Sequence, residues 1–266
     1  MTTTLQTPHS PRRLVFAAGL FLAYGLCSGP ALATDGIDPD ADKILRSMSS
    51  YVANLPALAV KADVDNEIVD LNGQKLQLSS AVAILVKRPG NLFISRQGAF
   101  ADAEIIFDGN TLTLNGKNKK VYIQKENPGN IDDAIQTIET TIGLDAPGAD
   151  LFYSDPYPGL TSGAVSGSYL GTSYVNGVEC HYLAFRAAKV DWQVWVQTGD
   201  APLPMKYIIT SKWITGAPQY SIRFREWDTA PSFEAGQFNF TAPEGARKLD
   251  SIPVNEVGEF MIEGAE

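Results

Sequence analysis

Few residues of this chain could carry acid–base or nucleophilic chemistry. The chain has two histidines and two cysteines. His9 falls in the leader described below, so any Ser-His-Asp or Cys-His machinery must use His181. Cys180 is its neighbour, but successive side chains of a strand point to opposite faces, so the two cannot form a dyad if 178–186 is a strand. We therefore predict no catalytic residues, with Cys180 buried as an apolar residue and His181 on the surface or in packing.

Metal and cofactor sites are equally poorly supported. One histidine and one cysteine cannot supply the roughly three to four nitrogen or sulfur ligands of a transition-metal site. Asp63, Asp65 and Glu67 alternate as calcium ligands do, but Ile68 occupies the position where a calcium loop needs its turning glycine. The surrounding pattern is that of a strand with a solvated face. We therefore predict no metal and no cofactor.

The N-terminal residues predict an export signal. Two arginines precede a short apolar run, and Ala31 and Ala33 place small residues at the positions that signal peptidase reads. We expect residues 1–33 to be removed, which leaves a periplasmic mature chain that starts at Thr34. The alternatives are a retained membrane anchor, for which the apolar run is short, and lipidation at Cys27, where a bulky residue precedes the cysteine.

The mature region is acidic and has no disulfide. The full-chain formal charge is −9, and the leader carries only two arginines, so the mature charge is −11. This argues against nucleic acid and anionic lipid headgroups as partners. Only Cys180 remains after cleavage, so stability must come from burial. The length fits one large β domain.

Two helices are predicted to lie among strands. Asp38 and Pro39 form a helix start, and apolar residues recur on one stripe of the segment that follows. A second helix is predicted over 131–144, where isoleucines share a face. An irregular loop is predicted over 155–159. Both helices need an apolar surface to pack against.

That surface is expected from strands. Short β-type runs divided by turn signals fill 58–124, and strands resume after the loop and continue to about 240. We assign 34–248 to one domain and 249–266 to an acidic tail. Apolar residues alternate along three runs: Val82, Ile84 and Val86; Met205, Tyr207, Ile209 and Trp213; Tyr220, Ile222 and Phe224. They form either an ordinary core beneath the helices or an apolar groove for a lipid-like ligand.

Several motifs carry a family resemblance. Residues 81–124 resemble the outer-membrane lipoprotein carrier proteins, in which a strand ends in Lys-Arg-Pro and the next strands bracket an Asp-Gly turn. The second half of the chain resembles an uncharacterised family of predicted periplasmic proteins that is thought to share the carrier fold. Its motifs are 176–185, 190–195, 202–204 and 238–243. The resemblance covers roughly 41–248.

The resemblance implies a mainly β (α+β) fold: an open, strongly curved antiparallel sheet, or half-barrel, with helices covering its concave face. In the carriers this face encloses an apolar cavity that holds the acyl chains of lipoproteins. Their strand-ending arginine, which gates the cavity, aligns with Arg88. By alternation Arg88 shares a face with Val86, but it also directly precedes the Pro89-Gly90 turn, and both interpretations stay open.

We therefore predict an exported, monomeric, non-enzymatic protein that binds a lipid or an acylated peptide in a half-barrel cavity. The predicted ligand-binding residues are Val82, Ile84, Val86, Arg88, Tyr207, Ile209, Trp213, Tyr220, Ile222 and Phe224. The alternative is a protein-interaction or sensor module on the same fold, in which loops such as 155–159 contact an envelope protein.

Overall fold

The computed structural model describes residues 36–99, 102–144 and 146–251. The predicted signal peptide and the predicted tail beyond residue 251 lie outside the described residues.

One open sheet dominates the described residues. Its thirteen strands are β1 (Gly36–Ile37), β2 (Ala57–Val69), β3 (Lys75–Lys87), β4 (Asn91–Gly98), β5 (Asp102–Phe107), β6 (Thr111–Gly116), β7 (Val121–Glu126), β8 (Ala164–Val175), β9 (Val178–Ala187), β10 (Val190–Gln197), β11 (Pro204–Ser211), β12 (Gln219–Asp228) and β13 (Arg247–Lys248). Strands β2–β7 and β8–β12 are two antiparallel meanders. The meanders join where β12 pairs with β2, as at Ile222 and Val64. The two-residue strands β1 and β13 pair in parallel at opposite ends, so the sheet does not close.

Short helical segments lie between these strands. They are α1 (Pro39–Asn54), α2 (Ile131–Thr137), a π-helical turn (Ile138–Ile142), a 3₁₀ turn (Ala149–Phe152) and α3 (Pro156–Thr161). Asp38 caps α1, since its Oδ1 accepts from the backbone N–H of Asp40 at 2.7 Å. Asn130 and Asp133 form a reciprocal capping box at the start of α2. The side chains therefore fix where each helix begins.

The core lies on one face of the sheet, beneath these helical segments. On β3, Val82, Ile84 and Val86 are buried, whereas Ala81 on the other face is exposed. Leu45 of α1 belongs to the same buried cluster. The predicted fold class is confirmed: a mainly β, open, curved antiparallel sheet with helices on its concave face.

Three predicted boundaries need correction. The helix predicted over 131–144 is α2 followed by the π-helical turn, and it ends at Gly143 with φ of 74°. The loop predicted over 155–159 is instead the start of α3, because Asp155 caps a helix whose first residue is a proline. The strands predicted to reach about 240 end at Asp228, and the described chain then forms turns before β13.

Candidate functional site

An apolar cavity of about 140 Å³ lies between the concave face of the sheet and residues 131–144 and 146–152, which we call the cover. The strands contribute Val64, Val82, Ile84, Leu92, Ile94, Arg96, Ala103, Ile105, Leu114, Tyr220 and Ile222. The cover contributes Ile135, Ile138, Leu144, Ala146, Pro147, Gly148, Ala149 and Phe152. Several lining residues are half-buried, so the cavity reaches the surface.

The cavity exists because the cover is thin and carries small side chains. Helix α2 is only seven residues long. The segment after it places Ala146, Gly148 and Ala149 over the sheet. Gly148 adopts a φ of 83°, in the left-handed region that favours glycine, and a Cβ there would lie 3.6 Å from the Tyr207 ring. Small residues in this segment therefore leave space over the strands that larger residues would fill.

Four of the predicted binding residues line this cavity: Val82, Ile84, Tyr220 and Ile222. They come from β3 and β12, which β2 separates in the sheet. The period-two alternation thus places these four residues on the face that borders the cavity, and their role in ligand binding stays a prediction.

The other predicted apolar residues lie elsewhere. Val86 and Phe224 are fully buried in the core, and Ile209 packs partly buried against it. Tyr207 is buried at the edge of the cover, where its hydroxyl donates to Asp150 Oδ2 at 3.5 Å. Trp213 does not share the inner face as predicted, because β11 ends at Ser211 and the indole is 70% exposed in the following turn.

Arg88 combines both interpretations of its position. It comes directly after the last residue of β3, two residues beyond the buried Val86, and it directly precedes the turn at Pro89. Its Nε and Nη2 atoms are buried without a hydrogen-bond partner among the described residues. Burial lowers the pKa of Arg88, and the nearby carboxylate of Asp132 in α2 opposes that shift. The guanidinium thus lies near the start of α2, but it does not line the cavity.

Arg96 is the basic residue of the cavity wall, and it is not among the residues predicted from the sequence. It lies on β4 opposite Val82, on the inner face. Its Nε donates to Ser80 Oγ at 3.0 Å. Tyr220 adds a hydroxyl to the same cavity, and burial raises the pKa of Tyr220 to about 12, so it stays neutral. The alternation of Leu92, Ile94 and Arg96 along β4 was the available signal.

Asp150 lies in the cover, beside the cavity. Its Oδ1 is buried and has no hydrogen-bond partner among the described residues. Burial is the main cause that raises the pKa of Asp150 to about 6, and the charge of Glu139 adds to it, while the Tyr207 hydroxyl opposes it. The pKa of this carboxyl, about 6, therefore lies above the usual range of an aspartate.

The remaining candidates for chemistry are separated or already satisfied. Cys180 is fully buried in β9, while His181 faces the other way, with Nδ1 3.1 Å from the Tyr169 hydroxyl. The predicted separation of the two is confirmed. Asp63 pairs with Arg225. Within the described ranges, no group of three or more His, Cys, Asp or Glu side chains could hold a metal ion.

A family model described as "Predicted periplasmic protein (DUF2092)" matches residues 41–251. The chain belongs to this family. No curated protein matches it. None of the helices in the described part of the chain is long and apolar enough to cross a membrane.

The chain is also similar to several solved structures. One is an uncharacterized conserved protein from Thermus thermophilus, with a TM-score of 0.46, 9% identity, and coverage of 79% of this chain and 98% of that one. Another is LprF from Mycobacterium bovis, with a TM-score of 0.45, 12% identity, and coverage of 79% and 98%. A third is the LolA superfamily protein NE2245 from Nitrosomonas europaea, with a TM-score of 0.39, 9% identity, and coverage of 75% and 97%.

Proposed function

We propose that this protein is an exported, non-enzymatic binding protein that holds a hydrophobic ligand, a lipid or an acyl chain, between its sheet and its cover. The observation that carries the proposal is the apolar cavity of about 140 Å³. Cavities of about 150 Å³ with Leu, Ile and Phe walls stay dry and take up small apolar molecules. The space thus suits an apolar group better than water.

The cover can make room for a larger ligand. Helix α2 and the segment after it are short, and their cavity-facing side chains, such as Ile138 and Ala149, are apolar. The hydrogen bond from Tyr207 to Asp150 measures 3.5 Å, at the long limit for such a bond. A chain longer than the cavity would displace this cover and gain about 0.8 kcal/mol for each methylene that it buries.

A neutral fluorescent probe tests the proposal without involving any headgroup. N-phenylnaphthylamine should bind the mature protein at micromolar concentration and gain fluorescence in the apolar cavity. Ala149→Leu should weaken this binding at least tenfold, because the added methyl groups occupy ligand space, while the melting temperature stays the same or rises. Ala81→Leu adds the same group to the exposed face of β3 and should change nothing.

If the apolar residues beneath the helices form only an ordinary core and no ligand site, the outcome should differ. The wild-type protein would then bind no probe, and organic extraction of protein purified from the periplasm would yield no stoichiometric lipid by mass spectrometry. Such a result in well-folded protein would remove the lipid-binding function. The protein-interaction module would then be the better account.

A further inference from the structure

The inner face of β4 carries a cation that its neighbours do not neutralise. Arg96 lines the cavity, and its Nε donates to the neutral hydroxyl of Ser80. Among the described residues, no carboxylate lies within ion-pair distance of Arg96, and its two terminal nitrogens have no hydrogen-bond partner. The exposed arginines Arg46 and Arg225, in contrast, each pair with an aspartate.

The two terminal nitrogens of Arg96 are not fully buried, so water hydrates them in the empty cavity and an anion that enters can replace this water. The wall around Arg96 consists of Val82, Ile94 and Ala103, which offer no partner for its charge. The carboxyl of Asp150, which belongs to the cover, accepts instead from Tyr207 on β11. In the sheet order, β11 and β4 are separated by β12, β2 and β3.

Tyr220 supplies a second polar atom in the same cavity. Its hydroxyl forms no hydrogen bond with the residues that the structure describes. The positive charge of Arg96, across β2 and β3, and the negative charge of Asp150 both act on it, and Arg96 has the larger effect. A neutral tyrosine hydroxyl can donate a hydrogen bond to an anion. The polar atoms of the cavity thus comprise a guanidinium fork and a donor, while the rest of its wall is apolar.

Resting on the proposed function, we propose that the ligand is a single-chain amphiphile with an anionic headgroup, a carboxylate or a phosphate. Arg96 binds the headgroup and Tyr220 supports it, while the acyl chain lies along Ile84 and Ile222 beneath the cover. A guanidinium matches both anions because its N–H groups form a planar fork.

The acidic net charge does not contradict this assignment. The mature charge of −11 is spread over the whole chain, and salt screens charges beyond about 8 Å at physiological ionic strength. Inside the cavity, the nearby positive charge of Arg96 determines which headgroup binds. The net negative charge disfavours anionic headgroups at the outer surface of the protein.

Four ligands with equal chain length test the headgroup: decanoate, decyl phosphate, decanol and decyltrimethylammonium. Each ligand is titrated into mature protein that holds N-phenylnaphthylamine, at neutral pH and below the micellar concentration of the ligand. The loss of probe fluorescence measures the affinity of the ligand. We expect decanoate or decyl phosphate to bind roughly tenfold more tightly than decanol, because the anion gains a charge-assisted hydrogen bond that decanol lacks. Which of the two binds more tightly identifies the headgroup, and the cationic amphiphile should bind weakest.

Variants assign the preference to Arg96. Arg96→Gln should bring the anion-to-decanol ratio close to one while decanol affinity stays unchanged, and Tyr220→Phe should lower the ratio by a smaller factor. Arg223→Gln removes the same charge from an exposed position on β12 and should leave the ratio intact. If decanol and the probe bind but neither anion is preferred, or if Arg96→Gln keeps the preference, the headgroup assignment is wrong while the binding function stands. If no ligand binds, the proposed function itself fails.

Discussion

Asp150 makes stability depend on pH in a direction opposite to that of most carboxylates. Its pKa is raised from 3.8 to about 6. The folded protein therefore holds this proton more tightly than the unfolded chain does. The stabilisation is fully present below pH 3.8 and is lost as the pH rises through about 6.

The magnitude follows from the shift. A shift of about two pKa units at about 1.4 kcal/mol each amounts to about 3 kcal/mol of folding free energy. The physical cause is the burial of the Asp150 carboxyl, because its hydrogen bonds do not replace the hydration that the charged form loses. Asp150→Asn keeps the shape of the side chain and removes its titration.

Urea unfolding of both proteins across the pH range measures the effect. We compare the free energy of unfolding of Asp150→Asn with that of wild type. As the pH rises from below 3.8 to above 6, the value for the variant should increase by about 3 kcal/mol relative to wild type. Groups such as Asp42, whose pKa is lowered by its hydrogen bond with Arg46, act with the opposite sign, but they cancel in this difference. A difference that stays constant with pH would show that the Asp150 carboxyl is solvated in the folded protein.

Two further predictions concern Arg88 and Cys180. Arg88→Met should leave the melting temperature unchanged or raise it, because it removes two buried nitrogens that lack partners. If Arg88 holds the cover through α2, stopped-flow release of N-phenylnaphthylamine should also become faster, whereas an unchanged release rate would assign it only a position before the turn. The Cys180 thiol should resist labelling in the folded protein, because it is fully buried and burial raises its pKa. Cys180→Ala should leave probe binding intact at a cost of roughly 1 kcal/mol, and rapid labelling of native protein would contradict this.

The strands and their inward faces could be predicted because alternation is a local property of the chain. Val82, Ile84 and Ile222 follow directly from period-two patterns. Asn176-Gly177 is a typical hairpin-turn sequence, and it joins β8 to β9. Alternation does not say where a strand stops, so Trp213 was assigned to a strand that ends at Ser211.

The cover could not be predicted in the same way. Which residues face the sheet depends on how a short, irregular segment packs, and Ala146 and Ala149 carry no periodic signal. Arg96 was missed for a related reason. An arginine in a strand is normally assigned to the solvent face, and this expectation outweighs its alternation with Leu92 and Ile94, while the register with Val82 shows that it lies inside.

The arrangement of the buried residues explains why a cavity forms at this place under the sheet. Leu114, Val121 and Ile123 form a small apolar cluster separate from the main core. The cavity wall draws on both, since Leu114 belongs to the small cluster and Ile84 to the main one. Ile105, Ile142 and Leu144 pack against both clusters, whereas Ala146 and Ala149 of the cover pack against the main cluster with small side chains that leave space. Because small residues of the cover lie over this wall, space remains above it. Under the proposed function, the ligand chain that enters this space would cover apolar side chains of both clusters.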